Sequence, residues 1–193
     1  MILLLGVRES GRGVRGYFAA GVVGISKAMN LGALMRISHA FGASFFFTVD
    51  SRVRLSDAQS DTSRAHGQLP FYAFSSVEEL KLPRGCQLVA VEITDGATEL
   101  PRFRHPSRAA YLFGAERTSL PDEILSRALH VVKIPTKFSI NVGMAGAIVL
   151  YDRLLSTGGF GARPIAPGRA SEVPPRHVWG APLARSRKSE PAS

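Results

Sequence analysis

The chain has 193 residues, 45% of them hydrophobic, and carries 24 Lys plus Arg against 15 Asp plus Glu for a formal charge of +9. That size and hydrophobicity support one packed domain and exclude a mostly disordered chain. No apolar stretch reaches the ~20 residues of a membrane span, and Met1–Leu5 lacks the basic region and small-residue cleavage site of a signal peptide. Cys86 is the only cysteine, which excludes an internal disulfide and a multi-cysteine zinc site and fits a reducing cytoplasm. The basic surplus favours phosphate-rich partners, in part through tail residues such as Arg163, Arg169 and Arg185.

Three zones follow one another along the chain. Residues 1–15 read as an irregular arm, 16–156 as the folded domain, and 157–193 as a Pro-, Gly- and Arg-rich tail that cannot bury enough apolar surface to order itself. Within the domain, Tyr17–Val23 reads as a buried strand. Leu31–Phe41 spaces its apolar residues as a helix does. Ser44–Val49 and Leu69–Phe74 read as strands around a polar loop at 52–67. Ser76-Val-Glu-Glu79 has the pattern of a capping box and predicts a brief helix. Cys86–Ile93 and Ala109–Phe113 read as strands. Ser119 and Pro121 mark a helix start. His130–Ile134 is a further strand, and Asn141–Leu155 a helix with Met144, Ile148, Tyr151 and Leu155 on one apolar stripe. Strands alternating with helices predict an α/β fold with a mainly parallel sheet flanked by helices. In such sheets ligands sit beyond the carboxyl ends of the strands.

Several motif-like features lack the context their chemistry needs. Gly11-Arg-Gly-Val-Arg-Gly16 has the spacing of a dinucleotide loop, but strand-like Tyr-Phe-Ala-Ala follows it where a helix is required. Gly24-Ile-Ser-Lys-Ala28 resembles a degraded nucleophile elbow without a clear strand-to-helix passage. His39, His66, His105, His130 and His177 have no metal-ligand spacing, so no metal is expected. Gly158-Gly-Phe-Gly161 follows a helix and reads as its termination.

Three separated segments carry more information. They are Asn30-Leu-Gly-Ala-Leu-Met-Arg36 with its continuation to Gly42; Leu112-Phe-Gly-Ala-Glu-Arg-Thr-Ser-Leu-Pro121; and Ile134-Pro135 leading to Ser139-Ile-Asn-Val-Gly-Met-Ala145. Together and in this order they resemble the motif set of the SpoU/TrmH-type RNA methyltransferases of the SPOUT superfamily, over about Gly16 to Ser156. The sequence departs from that pattern at Ala115, Ser119 and Gly143.

The resemblance implies transfer of a methyl group from S-adenosylmethionine (AdoMet) to a ribose 2′-hydroxyl of tRNA or rRNA, by a homodimeric cytoplasmic enzyme with a C-terminal trefoil knot. It implies that Val91, Glu92, Leu112, Phe113, Gly114, Ile134, Ser139 and Ile140 hold the cofactor. It also implies that Arg36 grips the target phosphate, that Asn30, Ser139 and Asn141 complete the catalytic group, and that Glu116 organises the loops. Taken singly, Ser139 and Asn141 are equally good helix caps, Gly114 a tight turn, and Glu116 and Arg36 solvated surface charges. The small residues Gly143, Gly146 and Ala147 permit close helix approach, either between subunits or within one. Two other readings compete: an RNA-binding protein that kept the fold without turnover, and a nicotinamide oxidoreductase resting on Gly11–Gly16.

Overall fold

The computed structural model describes residues 16–57, 68–115 and 119–158. The arm, most of the tail and Glu116 lie outside the described residues. Among the described residues seven strands form one sheet: β1 (Tyr17–Val23), β2 (Phe45–Val49), β3 (Phe71–Phe74), β4 (Gln87–Val91), β5 (Thr98–Glu99), β6 (Arg108–Gly114) and β7 (His130–Lys133). Their order is β3-β2-β1-β6-β4-β7-β5, and every neighbouring pair is parallel. The helices are α1 (Ala28–Ala40), α2 (Asp122–Arg127) and α3 (Val142–Ser156).

Strand periodicity splits the core into two layers. Phe18, Ala20 and Val22 of β1 and Tyr111 and Phe113 of β6 face Leu31, Leu34, Val149 and Leu150 of α1 and α3. Ala19 and Val23 of β1 and Ala110 and Leu112 of β6 face Ile124 of α2, Leu80 and Leu120. β1 lies inside the sheet, between β2 and β6, because it is apolar on both faces. Gly21 makes room there, since a Cβ on it would stand 2.6 Å from the ring of Phe47 on the adjacent strand.

The face that α3 buries is not the stripe of its largest apolar residues. Gly143, Gly146, Val149, Leu150 and Arg153 are buried, whereas Met144, Ile148 and Tyr151 are exposed. The small residues decide the orientation. A Cβ on Gly146 would lie 2.3 Å from Leu34 Cδ1, and one on Gly143 3.4 Å from Ala33 Cβ, so the two glycines let α1 approach α3 within one chain. Sequence periodicity weights large side chains and selects the wrong stripe.

Arg153 is buried among apolar residues because its donors are used. It donates to the carbonyls of Pro106 at 2.6 Å and Ser107 at 3.0 Å, and to the Tyr111 hydroxyl at 3.1 Å. Tyr111 lies 2.6 Å from His105 Nδ1, and His105 Nε2 lies 2.8 Å from Asp152 Oδ2. Burial pushes the Tyr111 hydroxyl up to about 12, against the pull of Arg153. It therefore remains a proton donor, and the network fixes the last turns of α3 to the start of β6.

Two local expectations are corrected, and one strand joins those expected. Ser76–Glu79 forms a turn rather than a helix, with Glu79 Oε2 accepting from the Ser75 N–H at 3.1 Å. The two-residue strand β5 has no apolar run to announce it. Gly24-Ile-Ser-Lys27 does link a strand to a helix: Gly24 closes β1 at φ +66 and Lys27 precedes α1. Ser26 is exposed there and does not line the cleft described next.

Candidate active site

A cleft of about 700 Å³ opens beyond the carboxyl ends of β6, β4 and β7, a size suited to a small molecule. One wall is Phe113, Gly114 and Ala115 at the end of β6. A second is Val91, Glu92 and Ile93 at the end of β4. The third runs from Lys133 and Ile134 through Thr136 to Ser139, Ile140 and Asn141 at the start of α3, and Lys27 stands at the rim. Three segments far apart in sequence meet here because adjacent parallel strands all end on the same edge.

Each wall has a local cause. The Ala115 N–H donates to Val23 O at 3.1 Å, which carries the chain off β6 over the end of β1. Glu92 ties two walls together: its Oε1 accepts from the Ile93 N–H at 2.8 Å and its Oε2 from the Leu120 N–H at 2.7 Å. Its carboxylate thus holds the far end of the loop that leaves β6. Lys133 Nζ donates to Thr94 O at 3.2 Å.

Asn141 is the N-cap of α3, with its Oδ1 accepting from the Gly143 N–H at 2.8 Å. Its Nδ2 donates to Asn30 Oδ1 at 3.1 Å, and Asn30 is 7% exposed. The two asparagines clamp the starts of α1 and α3 together, which sets Ser139 on the cleft wall. The capping reading of Asn141 and its place on the cleft hold together.

Of the residues singled out from the sequence, Val91, Glu92, Phe113, Gly114, Ile134, Ser139, Ile140 and Asn141 meet on the cleft. Leu112 does not. It is fully buried on the α2 side of the sheet, because a strand turns successive side chains to opposite faces. Arg36 is exposed on α1 and does not line the cleft. Asn30 does not line the cleft and is joined to its wall by the bond from Asn141. Ala115, Ser119, Val142 and Ala145, which stand inside the second and third motif segments, also line the cleft, as do Lys27, Ile93, Lys133 and Thr136, whose places beside those segments or at a strand end are their only signal. Among the described residues no group of three metal-ligating side chains converges, and no helix is long and apolar enough to cross a membrane.

The family model for the SpoU rRNA methylase family matches residues 18–151. The chain is 28% identical, across 66% of its length, to the tRNA (guanosine(18)-2′-O)-methyltransferase TARBP1 of Mus musculus, of which it spans only 9%. Among solved structures it resembles an RNA 2′-O ribose methyltransferase at 26% identity and a TM-score of 0.65, covering 79% of this chain and 61% of that one. It also shares its fold with the AdoMet-bound rRNA methyltransferase of Sinorhizobium meliloti, at 22% identity and a TM-score of 0.66, covering 73% of this chain and 57% of that one.

Proposed function

The chain belongs to the SpoU rRNA methylase family, and on that premise we propose that it transfers a methyl group from AdoMet to a ribose 2′-hydroxyl of tRNA or rRNA. The observation that carries the proposal is the convergence of three strand ends and the start of α3 on one cleft. The cleft's composition suits AdoMet. Val91, Phe113, Ile134 and Ile140 offer an apolar slot for an adenine, while Glu92 and Ser139 suit the ribose and the amino-acid part. When bound, AdoMet supplies an electrophilic methyl group on a positively charged sulfur.

The chain's own contribution is positioning. Glu92 fastens the loop that follows β6. The Asn30–Asn141 clamp fixes the backbone that presents Ser139. Holding two reactants in line supplies roughly 7–11 kcal/mol in intramolecular analogues, so small errors in these walls cost rate. Lys27 and Lys133 place positive charge where an RNA backbone would approach. The trefoil knot expected of the family belongs to the same reading, supported by the crowding of the loops after β6 and β7 at one edge.

The enzyme acts as a homodimer in this reading. Gly143 and Gly146 are used within the chain, so support comes from elsewhere. Met144, Ile148 and Tyr151 lie exposed along α3, and Met29 on α1 is 67% exposed. Contiguous exposed apolar surface marks an association face. Arg36 shares the outer stripe of α1 with Met29, seven residues away. Since it does not line the cleft described above, its expected role on the target phosphate calls for delivery to the cleft of a second copy. Light scattering at micromolar concentration tests the dimer, and a monomer mass would remove it. A cytoplasmic location goes with this function and is checked by imaging a tagged chain. Methylation of RNA with labelled AdoMet, followed by nucleoside analysis, tests the activity.

A further inference from the structure

The turn between Ile134 and Asn141 carries a side chain for which the cleft has no use. Phe138 is 75% exposed, the most exposed large apolar side chain among the described residues. Thr136 and Ser139 on either side line the cleft, whereas Lys137 and Phe138 do not. The turn is fastened from within: the Thr136 N–H donates to Ile134 O at 2.8 Å, and Thr136 Oγ1 donates to Phe138 O at 2.9 Å. The backbone under the ring is therefore held while the ring itself stands exposed outside the cleft lining.

A phenyl ring offers neither charge nor hydrogen bonds. Its natural partner in a phosphate-rich setting is another flat surface, and an unpaired nucleobase presents one. Lys137, exposed beside it, matches the charge of the adjoining phosphate. We propose that Phe138 stacks on an unpaired base of the RNA at the mouth of the cleft, with Lys137 on the neighbouring phosphate. Stacking accepts any base, so Phe138 positions the strand and leaves sequence choice to other contacts. The inference rests on the RNA methyltransferase reading above.

The ring lends itself to a direct test. Trp179 is the only tryptophan in the chain, so Phe138→Trp in a Trp179→Phe background places a single fluorophore at this position. The probe is an unpaired mixed-sequence RNA oligonucleotide, compared with an abasic ribose-phosphate oligonucleotide of equal length. Saturable quenching by the RNA and little by the abasic strand is the expected result. Equal quenching by both, or none by RNA whose binding is confirmed by anisotropy, overturns the proposal. In the otherwise native chain, Phe138→Ala weakens RNA binding about tenfold, in line with the loss of one base–aromatic stack, and Phe138→Tyr restores it. AdoMet affinity and oligomeric mass stay unchanged. Loss of AdoMet affinity in Phe138→Ala would assign the ring to the cofactor, and a change of mass would assign it to a second copy; either overturns the proposal. The fluorescence titration needs no turnover. Quenching by RNA without methyl transfer would sink the enzymatic reading and keep the stack, whereas transfer unaffected by Phe138→Ala would do the reverse.

Discussion

Asn141 Nδ2 lies 3.1 Å from Asn30 Oδ1, a hydrogen bond that spans 111 residues of sequence and joins the first turns of α1 and α3. The same Asn141 caps α3 through its Oδ1. Asn141→Ala removes both bonds. A lost cap costs about 1 kcal/mol, and withdrawing a donor from a buried amide adds about 1 kcal/mol or more. The expected loss is about 2 kcal/mol, read as a lower denaturation midpoint at unchanged m-value. Asn141→Asp keeps the cap but puts a carboxylate oxygen in place of the donor facing Asn30 Oδ1, so it recovers only the cap's share of about 1 kcal/mol. Wild-type stability in Asn141→Asp would contradict the clamp.

Gly21 and Phe47 form a second matched pair. Gly21→Ala drives a Cβ against a fully buried ring on the neighbouring strand, and overpacking of this kind costs about 1–3 kcal/mol. Phe47→Leu in the same chain frees space, so the double variant is more stable than the sum of the two single losses by at least ~0.5 kcal/mol. Simple additivity in urea melts would show that the ring relaxes elsewhere at no cost.

The contrast between these pairs shows what the sequence discloses. Strands β1, β2, β4, β6 and β7 are legible because runs such as Tyr-Phe-Ala-Ala-Gly-Val-Val must be buried on both faces. The convergence of Gly114, Ile134, Ser139 and Asn141 is legible only through the motif set, since no local pattern shows that strands so far apart in the chain end together. The buried face of α3 is hidden because Gly143 and Gly146, which carry no hydrophobic signal, and Arg153, which carries the opposite one, stand on it beside Val149 and Leu150. The motif resemblance implies Leu112 at the site, and the two-residue alternation of a strand turns its side chain to the other face. The resemblance implies Glu92 at the cofactor, but its bond to the Leu120 N–H joins residues 28 apart and has no local sequence signal.

The His105 network predicts acid sensitivity. Desolvation by burial holds the His105 pKa below its ordinary value, against the opposing influence of Asp152. In the folded chain, neutral His105 donates from Nε2 to Asp152 and accepts the Tyr111 proton at Nδ1. Protonation would leave the Tyr111 hydroxyl proton facing a donor. The unfolded chain therefore binds the proton more readily, and stability falls as pH drops below the ordinary histidine value of 6.5 toward the lower folded-state pKa. Above that value this contribution is constant. His105→Gln removes the slope, at some cost in stability at neutral pH. Chemical denaturation at a series of pH values checks it, and an unchanged slope in His105→Gln would assign the acid loss to other groups.

Glu92→Gln separates fastening from folding. The amide has one acceptor oxygen where the carboxylate has two, so one of the bonds to Ile93 and Leu120 is lost. A hydrogen bond to a charged group is worth about 1.5–3 kcal/mol, which sets an upper range of about 10- to 100-fold on AdoMet affinity if loop order is the whole effect. Calorimetry on a folded Glu92→Gln variant reads it. Wild-type affinity would show that the loop after β6 holds its position without this carboxylate.

Methyl transfer itself is the decisive measurement. Total RNA from a strain lacking the gene is incubated with the protein and methyl-labelled AdoMet, then digested to nucleosides and separated. The expected product is a labelled 2′-O-methylated nucleoside from tRNA or rRNA, abolished in a folded Gly114→Val variant whose β-branched side chain intrudes on the cleft. Label on a base, or AdoMet binding without incorporation into any RNA, would contradict ribose 2′-O-methylation, and the latter would leave an RNA-binding protein that keeps this fold without turnover.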